Sequence, residues 1–192
     1  MGTQIHEAKL ALRSQVREKL TAVPESSRAG RSTQACSLLQ RQDQWEQARS
    51  VLFYAPVAKE LDVWPLLTAA LASGKTVAMP RFVPETGKYI AWAICDPTKD
   101  LVPGSFGIRE PADHCAPLST NRLDFILVPG VAFDLQGRRL GRGMGFYDRL
   151  LTTLRGTACG VAFDEQIVRE VPVEPHDVPV NCILTPTRWI EL

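Results

Sequence analysis

Asp124-Phe-Ile-Leu-Val-Pro129 and, shortly after it, Gly137-Arg-Arg-Leu-Gly-Arg-Gly-Met-Gly-Phe-Tyr-Asp148 are the stretches from which the rest of the chain is read. The first is a continuous apolar run, the pattern of a strand buried on both faces. The second places four of the thirteen glycines (Gly137, Gly141, Gly143, Gly145) within nine residues, interleaved with Arg138, Arg139 and Arg142, and ends in an aspartate. Glycine reaches φ > 0 and has no Cβ, so backbone amides can converge on an anion while arginines add charge and forked donors. The next residues, Phe146 to Arg155, carry Phe146, Leu150, Leu151 and Leu154 at helical spacing, with Gly156 as the stop. Strand, loop and helix therefore follow in the order that aims a helix N-terminus at bound phosphate, with Asp148 placed to hold an accompanying magnesium ion. No GK[ST] closes the loop, so it is not a Walker A motif.

Outward from this centre the same alternation recurs. Ser50 to Ala55 reads as a strand, Pro56 to Glu60 as the loop beyond its C-terminal end, and Val63 to Ser73 as a helix capped by Asp62 and stopped by Gly74. Thr76 to Met79 and Ala158 to Phe163 return as further strands. The expected fold is α/β: three layers, a mainly parallel open sheet of Rossmann-like type flanked by helices, in one domain spanning 1–192. Ligands of such sheets bind beyond the C-terminal strand ends, which makes Glu60 a candidate by position. Residues 4–21 predict a helix with Ile5, Ala8, Leu12, Val16 and Leu20 as its apolar stripe and Lys9, Arg13 and Arg17 as a basic row; a second helix runs from Pro24 to about Gln40. Residues 80–122 show little periodicity apart from Tyr89 to Ile94, a strand expected to be antiparallel or at an edge. The segment Gly-Val-Ala-Phe-Asp occurs twice, at 130–134 and 160–164, which suits two similar strand ends better than a duplication.

Bulk composition excludes several classes. With 192 residues, 45% of them hydrophobic, and net charge +1, the chain can bury a sizeable core and has no basic excess suited to nucleic acid or an acidic membrane surface. No apolar run reaches the roughly 20 residues of a membrane span, and the first residues lack a signal-peptide core, so a cytoplasmic protein is expected. The five cysteines (Cys36, Cys95, Cys115, Cys159, Cys182) form no CxxC pair and read as reduced thiols. His114 and Cys115, being adjacent, read as a surface loop rather than metal ligands. Neither a Ser-His-Asp nor a Cys-His constellation is evident.

The segments Pro129-Gly-Val-Ala-Phe-Asp134 and Arg139-Leu-Gly-Arg-Gly-Met-Gly-Phe-Tyr-Asp-Arg149 closely resemble the signature of the 5-formyltetrahydrofolate cyclo-ligase family, also called methenyltetrahydrofolate synthetases. The resemblance runs from Lys9 to about Thr185. It implies that ATP and 5-formyltetrahydrofolate become 5,10-methenyltetrahydrofolate, ADP and phosphate, with Mg2+ as cofactor. By the same resemblance, ATP is expected at Lys9, Arg13, Arg139, Leu140, Gly141, Arg142, Gly143, Met144, Gly145, Phe146 and Tyr147. The folate is expected at Ala55, Glu60, Glu110 and at Arg142, Gly143, Met144, Gly145 and Phe146, magnesium at Asp148 and Asp177, and Arg142 and Tyr147 are the implied catalytic groups. Met144 stands where the family often has Gly or Lys, and Asn181 where many members have Asp. Small-molecule substrates, without nucleic acid or membrane partners, and a monomer or weak dimer complete the expectation. The alternatives are a folate-binding protein that consumes no ATP, or a sugar-phosphate or acyl-transfer enzyme on a similar scaffold, since fold does not fix chemistry.

Overall fold

The structure, a computed structural model, describes residues 2–104, 107–143 and 145–192. The chain opens with helix α1 (Gly2–Thr21), α2 (Glu25–Leu39) and the short α3 (Asp43–Gln47), then enters strand β1 (Ser50–Leu52), α4 (Trp64–Ala72) and β2 (Thr76–Val83). It continues through β3 (Lys88–Ile94), α5 (Pro97–Asp100), β4 (Leu101–Pro103), β5 (Arg109–Pro111), β6 (Pro117–Leu118) and β7 (Phe125–Pro129). The small β8 (Ala132–Phe133) and β9 (Arg139–Leu140) precede α6 (Phe146–Leu151), and β10 (Thr157–Val161), β11 (Cys182–Leu184) and β12 (Trp189–Glu191) close the chain.

Eight of these strands form one sheet in the order β12-β11-β10-β7-β1-β2-β3-β6. The five central strands, β11 to β2, are mutually parallel, and β12, β3 and β6 add antiparallel edges. The expected open, mainly parallel α/β sheet is therefore what the chain forms. Tyr89 to Ile94 is antiparallel as expected, but the edge beyond it is taken by β6.

Burial on both faces explains the unbroken apolar run in β7. Phe125 and Leu127 point into the core packed under α1, α2 and α4, whereas Ile126 and Val128 point into the opposite core with Phe133, Leu150 and Leu151. The first core holds the T-shaped contacts of Trp45 with Phe53 and Phe125, at ring separations of 6.2 and 5.8 Å. Such pairs add to the apolar burial that stabilises the sheet.

Three local readings are corrected. Ala8, expected on the apolar stripe of α1, is exposed, while Lys9 from the basic row is buried. Strand β1 is shorter than expected, although the Phe53 amide still bonds to the Ala78 carbonyl at 2.8 Å. The helix after the glycine-arginine loop spans six residues, not ten. There the Thr152 and Thr153 hydroxyls bond back to the carbonyls of Arg149 and Leu150, and the backbone tightens to three-residue turns at Thr153 and Leu154. Gly156 stays, but for a different reason: a Cβ there would come within 2.3 Å of the Leu123 and Asp124 carbonyl oxygens at the foot of β7.

The two Gly-Val-Ala-Phe-Asp segments meet in space. Cβ atoms at Gly130 and Gly160 would lie 2.6 and 2.5 Å from the Phe133 ring, so the ring sits between the two glycines. Their aspartates differ. Asp164 pairs with Arg31 at the surface, whereas Asp134 is fully buried and accepts the amides of Gln136, Arg138 and Val171. Those bonds close the β8–β9 hairpin that delivers Arg139. Asp134→Ala removes the acceptor of the buried Val171 amide and of the partly buried Gln136 and Arg138 amides, and is expected to cost about 3 kcal/mol in denaturant-unfolding stability, with Asp134→Asn intermediate. A loss below about 1 kcal/mol for the alanine variant would show that the hairpin does not depend on this carboxylate.

Candidate functional site

Strand order reverses between β1 and β7: the chain passes from β1 to β2 on one side and later to β7 on the other. In open α/β sheets this reversal leaves a crevice at the C-terminal strand ends. Here it opens between the loop after β1, carrying Tyr54, Ala55 and Glu60, and Pro129-Gly130 at the C-terminal end of β7. The resulting cleft has a volume of about 560 Å³, within the range of small-molecule sites. The β9 end and the following loop form its floor, residues 108–110 one wall, and α1 closes it from above with His6, Lys9 and Arg13.

The loop's geometry follows from its glycines. Gly143 and Gly145 adopt φ of +106° and +62°, where other residues are strained, so the chain can reverse without side chains crowding the cleft. At Gly141 the backbone would accept a side chain, but a Cβ would approach the Arg139 guanidinium to 2.9 Å. Arg13 donates from Nε to the Gly141 carbonyl at 2.9 Å and so ties the N-terminal helix to the loop. Because α6 is so short, its dipole is slight, and attraction for an anion rests on the arginines and loop amides instead.

Each remaining expected cation is held by a carboxylate. Arg139 Nη2 meets Asp148 Oδ1 at 2.8 Å, Arg142 Nη2 meets Glu60 Oε1 at 2.5 Å, and Lys9 Nζ meets Asp177 Oδ2 at 2.6 Å and Glu174 Oε2 at 2.8 Å. The buried Arg139 also stacks over Tyr147, 5.7 Å from the ring centre, and its Nε has no partner among the described residues. Burial alone would push the Lys9 ammonium down, but its bonds to Asp177 and Glu174 hold it above the usual value. Asp177 responds in the opposite sense: burial raises it, and the Lys9 bond with the Glu174 amide brings it below the usual range. At Glu60 desolvation wins over Arg142 and raises the carboxyl. Tyr147 is pushed far above an ordinary phenol, chiefly by burial and then by the Glu60 charge, so it remains a neutral hydroxyl.

The expected residues thus gather: Lys9, Arg13, Ala55, Glu60, Glu110, Arg139, Leu140, Gly141, Arg142, Gly143, Gly145, Phe146, Tyr147, Asp148 and Asp177 all line the cleft. Met144 lies outside the described residues. Arg17 is exposed, and Asn181 accepts the Ala158 amide at 2.8 Å, a structural bond. Phe146 joins Phe82 and Tyr89 in an aromatic cluster with ring separations of 5.6 and 4.8 Å.

Glu174 and His176 escaped the sequence reading. With Asp177 they present ligand atoms within 4.8 Å of one another. The usable signal was the spacing Glu174-Pro-His-Asp177, a turn that the Asp177 carboxylate closes by accepting the Glu174 amide at 2.7 Å. Asp148 borders the same turn, its Oδ1 accepting the Val178 amide at 3.4 Å.

Comparison with known proteins identifies the family of the chain. The sequence model of the 5-formyltetrahydrofolate cyclo-ligase family matches residues 5–186. A 5-formyltetrahydrofolate cyclo-ligase of Mycolicibacterium smegmatis is 35% identical over 95% of this chain and 96% of its own, and one of Escherichia coli 31% identical over 90% and 97%. The NMR structure of a 5,10-methenyltetrahydrofolate synthetase from Aquifex aeolicus superposes with a TM-score of 0.86 at 33% identity, covering 96% of this chain and 92% of the other. With matched sequence along nearly its whole length and a matched fold, the chain belongs to the 5-formyltetrahydrofolate cyclo-ligase family.

Proposed function

We propose that a single domain spanning 1–192 converts 5-formyltetrahydrofolate and ATP into 5,10-methenyltetrahydrofolate, ADP and phosphate. Family membership supports the reaction, and one observation carries its placement: a continuous cleft with a basic end at Lys9, Arg13, Arg139 and Arg142 and a less polar side at Ala55, Tyr89 and Phe146. Phosphates belong at the basic end, against the amides of 140–143 and 145–147. The folate belongs beside Ala55, Glu60 and Glu110. No helix among the described residues is long and apolar enough to cross a membrane, and the assigned ligands are small molecules. The finer reading is a cytoplasmic monomer or weak dimer with no nucleic-acid or membrane partner.

A formamide oxygen leaves poorly, so it must first be activated. The formyl oxygen forms a bond to the γ-phosphorus as the bond to ADP breaks. N10 then adds to the formyl carbon and loses its proton, and the carbon–oxygen bond breaks to release phosphate and the methenyl product. The chain supplies alignment and charge rather than a nucleophile. Arg142, at the mouth, and Arg139 and Lys9, inside it, stabilise the transferring phosphoryl group. The neutral Tyr147 hydroxyl is a hydrogen-bond donor beside them.

The ion pairs imply an exchange of partners. Five basic side chains (Lys9, Arg13, Arg109, Arg139, Arg142) and five carboxylates (Glu60, Glu110, Asp148, Glu174, Asp177) line the cleft, so polyphosphate entering this site adds negative charge to a lining already near balance. As phosphate oxygens take over the cations, Glu60 is released toward the folate and Asp148 and Asp177 toward a metal. Asp148 and Asp177 would hold a hard ion such as Mg2+, which suits carboxylate oxygens and would supply positive charge against the developing negative charge of the phosphoryl group.

An absorbance assay for methenyltetrahydrofolate tests this reading. Product is expected only with both ATP and Mg2+; product without ATP would refute the ligase, and full turnover with ATP under chelation would refute the metal. Asp148→Asn, which keeps an oxygen acceptor for Arg139, should retain its fold and lose about 100-fold or more in kcat.

Glu60 gives a separate readout. Its carboxyl is raised from 4.5 in the folded chain, so the folded state holds the proton more tightly and stability falls as pH climbs from about that value through the folded one. Glu60→Gln has no such loss. Its melting temperature relative to the parent should therefore rise with pH across this window, while folate binding weakens; a constant difference would mean that Glu60 is not desolvated.

A further inference from the structure

Outside the cleft, three side chains of different chemistry converge where α5 meets the turn between β5 and β6. His114 Nε2 lies 2.9 Å from Asp100 Oδ1, and with the Cys115 thiol their ligand atoms all fall within 4.8 Å of one another. None of the three lines the cleft. Adjacency of His114 and Cys115 argued against a shared metal; the structure supplies the missing element by bringing Asp100 up between them.

We propose that Asp100, His114 and Cys115 form a zinc-class metal site with a fourth position open to water. The donor set decides the class: a thiolate, an imidazole nitrogen and one carboxylate oxygen suit a borderline-soft ion such as Zn2+ or Co2+, and a thiolate is a poor ligand for magnesium. Tetrahedral bonds of about 2.0–2.3 Å put the nitrogen and oxygen roughly 3.3 Å apart and the sulfur roughly 3.5 Å from each, so the Asp100–His114 pair must open by about 0.4 Å and the thiol approach by about 1.3 Å at most. His114, whose side chain is 62% exposed, has open space in which to make that adjustment.

Asp100 is already oriented for the task. Its Oδ2 accepts the amides of Cys95 and Asp96 at 2.7 and 2.8 Å, which fixes the carboxylate and turns Oδ1 toward His114. Such outer bonds to a ligating carboxylate are what metal sites use to set ligand direction. Cys115 is nearly buried, with its thiol 3.5 Å from the Asp100 carbonyl, and burial followed by the Asp100 charge pushes its pKa up. The Ala112 amide also bonds the Asp100 carbonyl at 2.8 Å, so a metal here would fasten the β5 end to α5 and stiffen the wall that carries Glu110.

Cobalt titration of the full chain tests this independently of the cleft's reaction. The expected result is a near-ultraviolet thiolate-to-cobalt charge-transfer band that saturates at one equivalent and disappears when zinc is added. The band should vanish in Cys115→Ser, and cobalt affinity should fall at least tenfold in His114→Ala, whose exposed side chain is not needed for folding. His176→Ala, which disrupts the other candidate cluster, should leave the band unchanged. Absence of a thiolate band would overturn the site. So would a band that survives Cys115→Ser, is indifferent to His114→Ala, or depends on His176; should Cys115→Ser fail to fold, the His114→Ala result alone decides.

Discussion

Cations can crowd the crevice between β1 and β7 only because carboxylates hold them there. Lys9 and Arg139 are nearly buried, where an unpaired charge is strongly unfavourable, and the pairs with Asp177, Glu174 and Asp148 remove most of that penalty. The same pairs keep the site assembled while it waits for ligands. They also leave it close to charge balance, so under the proposed function a nucleotide would replace protein carboxylates rather than simply fill a positive hole. The carboxylates so displaced belong to the residues assigned to metal and folate, which would connect occupancy of one half of the cleft to that of the other.

The fold's contribution is to bring distant segments to one edge. Parallel strands send every C-terminal end the same way, and the reversal of strand order separates two adjacent loops. Glycines 130 and 160 let the Phe133 ring fill the space beneath the cleft, and the buried Asp134 holds the hairpin from which Arg139 projects. The glycine-arginine loop is therefore positioned by packing and backbone hydrogen bonds below it, with little help from the six-residue helix above.

Much of this was legible where the determining signal is local. The alternation of strands and helices reveals the sheet, the run at Phe125–Pro129 marks its two-sided core, and the glycine-arginine motif carries the family resemblance on its own residues. Lys9 and Arg13 were separable from Arg17 only through that resemblance, because periodicity shows a row without saying which end meets another segment. The pairing of Lys9 with Glu174, 165 residues away, has no local trace. The early end of α6 depends on threonine hydroxyls competing for backbone carbonyls, a balance that apolar spacing does not register. Likewise, His114 and Cys115 gain a third donor only when α5 folds against their turn.

The partner-exchange account is tested most directly by calorimetric titration of 5-formyltetrahydrofolate into the protein, alone and saturated with a non-hydrolysable ATP analogue and Mg2+. If phosphates draw Arg142 from Glu60, the nucleotide should tighten folate binding about tenfold, a coupling of roughly 1.4 kcal/mol, and Arg142→Ala should abolish the difference. Equal folate affinity with and without the nucleotide, with both ligands bound, would contradict the exchange and leave the two halves of the cleft independent.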